Sequence, residues 1–172
     1  MKNPFKNQIF RRCFWTIVIV VVLLLLFRIP TRLSVAAFNQ QTNLPIGLLE
    51  KKPDFSEYQC LGGFGMTQYA GEDNNGTLTY EVSGWPDLLF GSRQTTRIDC
   101  TDPDYSVYGI SVGDDMDTVA QIMLRQGFQQ GRWDHQFVRL GVVITFTKDL
   151  KTNVIKEIVV SVPSTMIFPV VF

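Results

Sequence analysis

Hydrophobic and polar positions divide this chain into an apolar run, an aperiodic stretch and a region where strand and helix periods alternate. Residues 13–27 read Cys-Phe-Trp-Thr-Ile-Val-Ile-Val-Val-Val-Leu-Leu-Leu-Leu-Phe, an uncharged run of 15 with no polar face. A helix that is apolar all round needs burial in protein or lipid. At a rise of about 1.5 Å per residue the run covers roughly 22 Å, against about 30 Å of bilayer hydrocarbon. Ile9, Phe10 and Ile29 lengthen the apolar stretch, and Arg11, Arg12 and Arg28 can snorkel to the headgroups. Phe14 and Trp15 fall where an interfacial aromatic belt is expected. The expectation is a transmembrane signal-anchor helix over residues 13–29, with a lipid bilayer as its partner.

Residues 30–58 sustain no period. Asn39-Gln40-Gln41-Thr42-Asn43 is polar, and Pro45, Gly47 and Pro53 act as breakers, so this stretch is expected to be a stalk or linker. Residues 60–76 are rich in glycine and polar residues and end in the turn signal Asp73-Asn74-Asn75-Gly76. Residues 77–83 alternate as a strand, which Gly84-Trp85-Pro86-Asp87 breaks. Residues 95–100 read as a second strand and 105–108 as a short third. Then Asp114 can cap a helix, with Asp115 and Asp117 in its first turn at the positive end of the dipole. Met116, Val119, Ala120 and Met123 make its apolar face, Arg125 sits in the last turn, and Gly127 stops it. A short strand at 133–137 precedes two β-branched runs, 142–147 and 154–162, joined as a hairpin through 148–153. The tail at 166–172 is apolar but too short to span a bilayer.

These elements predict an α+β fold class: an N-terminal transmembrane helix followed by a small domain with one or two helices packed on an antiparallel sheet. The expected organisation is a basic cytoplasmic tail (1–12), the helix (13–29), a stalk (30–58) and an extracytoplasmic domain (59–172).

Charge adds a direction. The chain holds 16 basic and 16 acidic residues, but residues 1–32 contain six bases and no acid. Residues 33–172 therefore carry a net charge of −6. An acidic domain argues against nucleic-acid binding, which needs a basic face. Four bases before the apolar run and two after it favour an inside N-terminus and an outside C-terminal domain, in a cell membrane or envelope. A cleaved signal peptide has a similar layout. Ser34-Val35-Ala36 offers small residues before a cut, which would make the protein secreted from near Ala36. Cys60 and Cys100 leave two readings open: a disulfide in an oxidising compartment, or two buried thiols.

The segment Gly109-Ile110-Ser111-Val112-Gly113-Asp114, the succeeding helix to Gly127-Phe128, and the run Val154-Ile155-Lys156-Glu157-Ile158-Val159-Val160 carry a family resemblance. Residues 105–162 resemble the small α+β domain of the β-lactamase-inhibitor protein and of the small-protein-A outer-membrane assembly lipoproteins. Similar segments occur in membrane-anchored proteins of Gram-positive bacteria. The resemblance implies a binding or scaffolding module and carries no active site onto this chain. Residues 60–104 depart from the family pattern, and the apolar run stands where the assembly proteins have a lipid.

Candidate chemistry is sparse. Gly109-Ile110-Ser111-Val112-Gly113 matches the nucleophile-elbow pattern, but the single histidine, His135, lies only 24 residues on. Asp134 and His135, as strand neighbours, would point to opposite faces. Asp99, Asp102 and Asp104 cluster without the spacing of a calcium loop, and the cysteines lack zinc spacing. No catalytic, cofactor or metal residue is therefore assigned. The aromatics Trp85, Tyr105, Tyr108 and Trp133 are candidates for a binding face, with Tyr58, Tyr69 and Tyr80 nearby in sequence. The functional expectation is a non-enzymatic, membrane-anchored extracytoplasmic binding or scaffolding module with an envelope protein partner. The alternatives are a cell-envelope hydrolase or a secreted, inhibitor-like protein.

Overall fold

The computed structural model describes residues 4–47, 56–62, 66–72, 76–83 and 94–162. Trp85, the turn at 73–75, the break at 84–87 and the tail at 166–172 lie outside the described residues. The chain divides into two compact units, Met1–Leu33 and Ser34–Phe172.

The first unit is helical. One helix, α1 (Pro4–Asn39), runs through the apolar stretch and ends inside the second unit's residues. Phe10, Phe14, Trp15, Ile17, Ile19 and Leu26 are exposed on it. No helix of the described residues is long and apolar enough to cross a membrane. This corrects the expected transmembrane, single-pass helix at 13–29. The physical reason lies in the charges: the uncharged run is 15 residues between Arg12 and Arg28, short of the roughly 20 that a spanning helix needs.

The second unit corrects the fold class as well. It is mostly one large antiparallel sheet rather than a helix layer on a small sheet. Its strands are β1 (Gln59–Gly62), β2 (Met66–Glu72), β3 (Thr77–Ser83), β4 (Thr95–Cys100), β5 (Ser106–Val107), β6 (Ile110–Ser111), β7 (Gln129–Gln130), β8 (Gln136–Arg139), β9 (Val142–Lys148) and β10 (Ile155–Ser161). Eight of them form a sheet in the order β1-β2-β3-β4-β10-β9-β8-β7, while β5 and β6 pair separately. A 3-10 turn (Met116–Thr118) leads into the short helix α2 (Val119–Arg125).

Alternation decides which face is core. The register aligns Tyr69, Tyr80, Ile98, Val160, Ile144 and Phe137 in one row across six strands. A second row runs Gly71, Leu78, Cys100, Ile158, Phe146. From Tyr80 and Leu78 onward these side chains are buried, whereas Gln68, Glu81, Arg97, Asp99 and Thr145 take the alternate positions. Ile155 breaks the spacing, since it is buried three residues before Ile158. A bulge between Ile155 and Glu157 absorbs the extra residue and returns the side chain to the core face.

The core is closed by Phe38, Leu44, Ile46, Val107, Ile110, Met116, Val119, Met123 and Phe128. The stalk expectation for 30–58 is thus corrected over residues 34–47. Phe38, Leu44 and Ile46 are fully buried, and Gly47 and Thr95 exchange backbone hydrogen bonds. Asn39 holds the reversal of the chain by bonding the amide and carbonyl of Ile46 through its side chain.

Helix α2 ends as the sequence reads. The amide of Phe128 donates to Met123 O and that of Gly127 to Leu124 O, a Schellman closure with Gly127 at φ 79°. Its start differs. Asp115, not Asp114, caps the 3-10 turn by accepting from the Asp117 amide, and Asp114 accepts from the Ser111 amide instead. Ala120 is exposed, leaving Met116, Val119 and Met123 as the buried stripe.

The glycine-rich stretch at 60–76 contains most of β1 and all of β2. No disulfide joins Cys60, which is exposed, to Cys100, which is buried. Cys60 lies on β1 and Cys100 on β4, three strand spacings apart, or about 14 Å. Bonded cysteines need α-carbons within about 7 Å, so the candidate disulfide is excluded and the thiols stand separately.

Candidate functional site

A depression among the described residues lies where β2, β3 and the loop after β4 converge. Glu57, Tyr58, Gly71, Gly76, Leu78, Asp102 and Tyr105 line it, around a volume of about 240 Å³. The sequence builds it through an omission. Gly71 faces the core side of β2 opposite Leu78, and the missing side chain leaves room for the Tyr58 ring. A Cβ on Gly71 would stand 2.5 Å from Cε1 of Tyr58, so any larger residue displaces that ring. Tyr58 in turn meets Tyr80 edge-on, with ring centroids 5.8 Å apart.

The loop after β4 is held tightly. The Thr101 amide donates to Thr77 O, and the Thr77 amide donates to Thr101 Oγ1. Gly76 sits so near this backbone that a Cβ there would meet the Asp102 Cα at 2.6 Å. Asp102 is only 2 % exposed, which is rare for an aspartate. Its Oδ1 accepts the Asp104 amide at 2.8 Å, and its backbone carbonyl accepts the Cys100 thiol and the Tyr105 amide. Among the described residues its second carboxylate oxygen has no hydrogen-bond partner. A buried carboxylate oxygen without a partner is costly, because burial removes the water that would solvate it.

Tyr80 is buried beneath this cluster, and burial pushes its phenol well above the usual tyrosine range, with Tyr58, Tyr105 and Cys100 adding to the rise. The consequence for stability has a definite sign. The folded chain keeps the Tyr80 proton at pH values where the unfolded chain releases it. The contribution is complete below about pH 10 and is lost as the pH rises beyond it. Denaturation midpoints should therefore fall steadily above about pH 10, and Tyr80→Phe should flatten that decline. Parallel alkaline slopes in the two proteins would count against it.

The other sequence candidates take different places. Ser111 belongs to the two-residue strand β6, reached through a turn with Tyr108 at φ 54° and Gly109 at φ 77°. Among the described residues no hydrogen bond joins it to His135, which lies in the turn before β8 at φ 60°. That is a hairpin, not a strand-to-helix elbow. Asp99 pairs with Arg97 Nε at 2.7 Å. Asp115 and Asp117 both accept from Asn153 Nδ2, which ties the 3-10 turn to the β9–β10 hairpin. Among the described residues no group of three or more His, Cys, Asp or Glu is placed to hold a metal ion.

The described aromatic candidates have different neighbours. Tyr105 lines the groove, while Tyr108 meets Phe38 and Phe128 edge-on. Trp133 is 63 % exposed beneath the Arg132 guanidinium. Sequence pattern alone does not bring Tyr58, Gly71 and Glu57 together as site residues. The one signal it offers is Gly71 inside an otherwise strand-like stretch, which marks close approach by another group.

No family model, curated protein or solved structure matches this chain. The resemblance of residues 105–162 to the inhibitor and assembly-protein domains therefore rests on the residues quoted for it.

Proposed function

We propose that residues 34–172 form a non-enzymatic binding module whose ligand group enters the Tyr58 groove. Asp102 carries this reading: a carboxylate that is almost wholly buried, lines a depression, and leaves one oxygen unengaged among the described residues. Such a group is retained against its desolvation cost where a partner completes it. The resemblance to inhibitor and scaffolding domains agrees with a binding role. The test is an NMR screen of small polar, charged and neutral compounds against the full chain and its Gly71→Ala variant. Shifts should cluster at Tyr58, Gly71, Asp102 and Tyr105, and should shrink in the variant as the ring is displaced. A screen with no such cluster sinks the reading.

We also propose a lipid surface as the partner of residues 13–29, without any crossing of the bilayer. The exposed Phe14, Trp15, Ile17 and Ile19, beside six basic residues and no acid in 1–32, favour it, the apolar side chains by leaving water and the bases by attraction to anionic headgroups. Flotation with anionic vesicles should carry the full chain upward and leave a chain lacking residues 1–33 behind. Equal behaviour of the two would refute it.

A further inference from the structure

We propose that the Tyr58 groove binds an alkylammonium group, with the cation against the Asp102 carboxylate and beside the rings of Tyr58 and Tyr105. This rests on the reading of the groove as a binding site and names the chemistry that it takes.

Three observations converge on a cation. Among the described residues the charged groups lining the groove are Glu57 and Asp102, both acidic, and no basic residue lines it. The buried Asp102 has one carboxylate oxygen engaged by the Asp104 amide and the other open among the described residues. Residues 33–172 carry a net charge of −6, which raises the local concentration of cations around the unit.

The kind of cation is set by the remaining wall. Calcium takes six to eight oxygen ligands, far more than one open carboxylate oxygen supplies. An ammonium needs less. One charge-assisted hydrogen bond and neighbouring aromatic rings are the usual elements of amine recognition. The volume of about 240 Å³ lies below the usual range for a drug-sized ligand, so it suits a head group carried on a longer molecule. That molecule is either a free amine or a lysine side chain of a protein, and the two share the same recognition chemistry.

The experiment is a chemical-shift titration of the full chain in a non-ionic detergent, since a choline-bearing detergent would itself present a cation. The probes are n-butylammonium, its neutral counterpart n-butanol, spermidine and Nα-acetyl-lysine methylamide. The inference expects n-butylammonium to shift Tyr58, Gly71, Asp102 and Tyr105 while n-butanol does not. Asp102→Asn keeps an oxygen for the Asp104 amide but removes the charge, and should weaken ammonium binding roughly tenfold or more. Stronger shifts with spermidine assign the source to a free polyamine, and stronger shifts with the lysine derivative assign it to a protein side chain. Equal shifts from n-butanol and n-butylammonium, or an unaltered titration in Asp102→Asn, would overturn the ammonium inference while leaving the groove a binding site. Silence from all four probes and from the wider screen would overturn both.

Discussion

Replacing Phe38 by alanine is expected to lower the unfolding free energy by about 3–5 kcal/mol, the range for emptying a buried phenylalanine site. Phe38 sits near the C-terminal end of α1, 0 % exposed, with Tyr108 edge-on at 5.9 Å between centroids. Leu44 and Ile46, brought back by the Asn39 side chain, are equally buried. The site cannot collapse easily, since Tyr108 is itself held by Phe128 and Arg139. Urea denaturation of the full chain gives the measurement. Leu33→Ala provides the contrast, because Leu33 is 66 % exposed and should change stability by no more than about 0.5 kcal/mol. If Phe38→Ala costs less than about 1 kcal/mol, residues 34–47 behave as the linker that the sequence pattern implies, and their place in the core is wrong.

The same segment shows what sequence patterning can and cannot reach. Strand character is legible: β3, β4, β9 and β10 all lie where the alternating or β-branched runs fall. The α2 stop at Gly127 is equally readable, since a Schellman closure depends on local backbone geometry. Residues 34–47 are not, because their burial is tertiary; Phe38 ends a helix while Leu44 and Ile46 follow the reversal of the chain, so no single period runs through all three. β1 and β2 are hidden for another reason. Their glycines interrupt the alternation, and Tyr58, from outside the strand, fills the space over Gly71. The disulfide reading fails because spacing along the chain says nothing of strand order. The groove is illegible as a whole, though Asp102 stands out in sequence as one of three clustered acids. Its neighbours come from three separated segments, and only the sheet register brings them together. The transmembrane reading weights the apolar run above the arginines that bound it.

Arg139 is the second residue where a large loss is expected: Arg139→Met should cost about 3 kcal/mol, mostly from two hydrogen bonds to a charged donor and a cation–π contact. Its Nη1 donates to Gln126 O at 2.6 Å, and its Nη2 donates to the Tyr108 hydroxyl at 2.8 Å. The guanidinium lies 4.6 Å from the Phe128 ring centroid and 5.8 Å from that of Tyr108. Gln126 is the C-cap of α2, so the cation sits where the last carbonyls of the helix collect. One side chain thereby joins α2, the β5–β6 turn and β8, while its own carbonyl accepts from Ser34 Oγ at 3.3 Å. Arg139→Lys should recover less than half of the loss, because an ammonium lacks the planar fork that serves two acceptors and stacks on rings. A double-mutant cycle with Tyr108→Phe should show a coupling of about 1 kcal/mol. Since Arg139 is half-buried, 1 M salt should reduce that coupling only slightly, whereas an exposed pair would lose most of it. Full rescue by lysine would mean that the positive charge suffices and the planar fork does not matter, and a cycle that closes at zero would remove the Tyr108 contact from the account. Almost unchanged stability in the methionine variant, which keeps an unbranched stem but no charge, would assign the contribution of Arg139 to that stem.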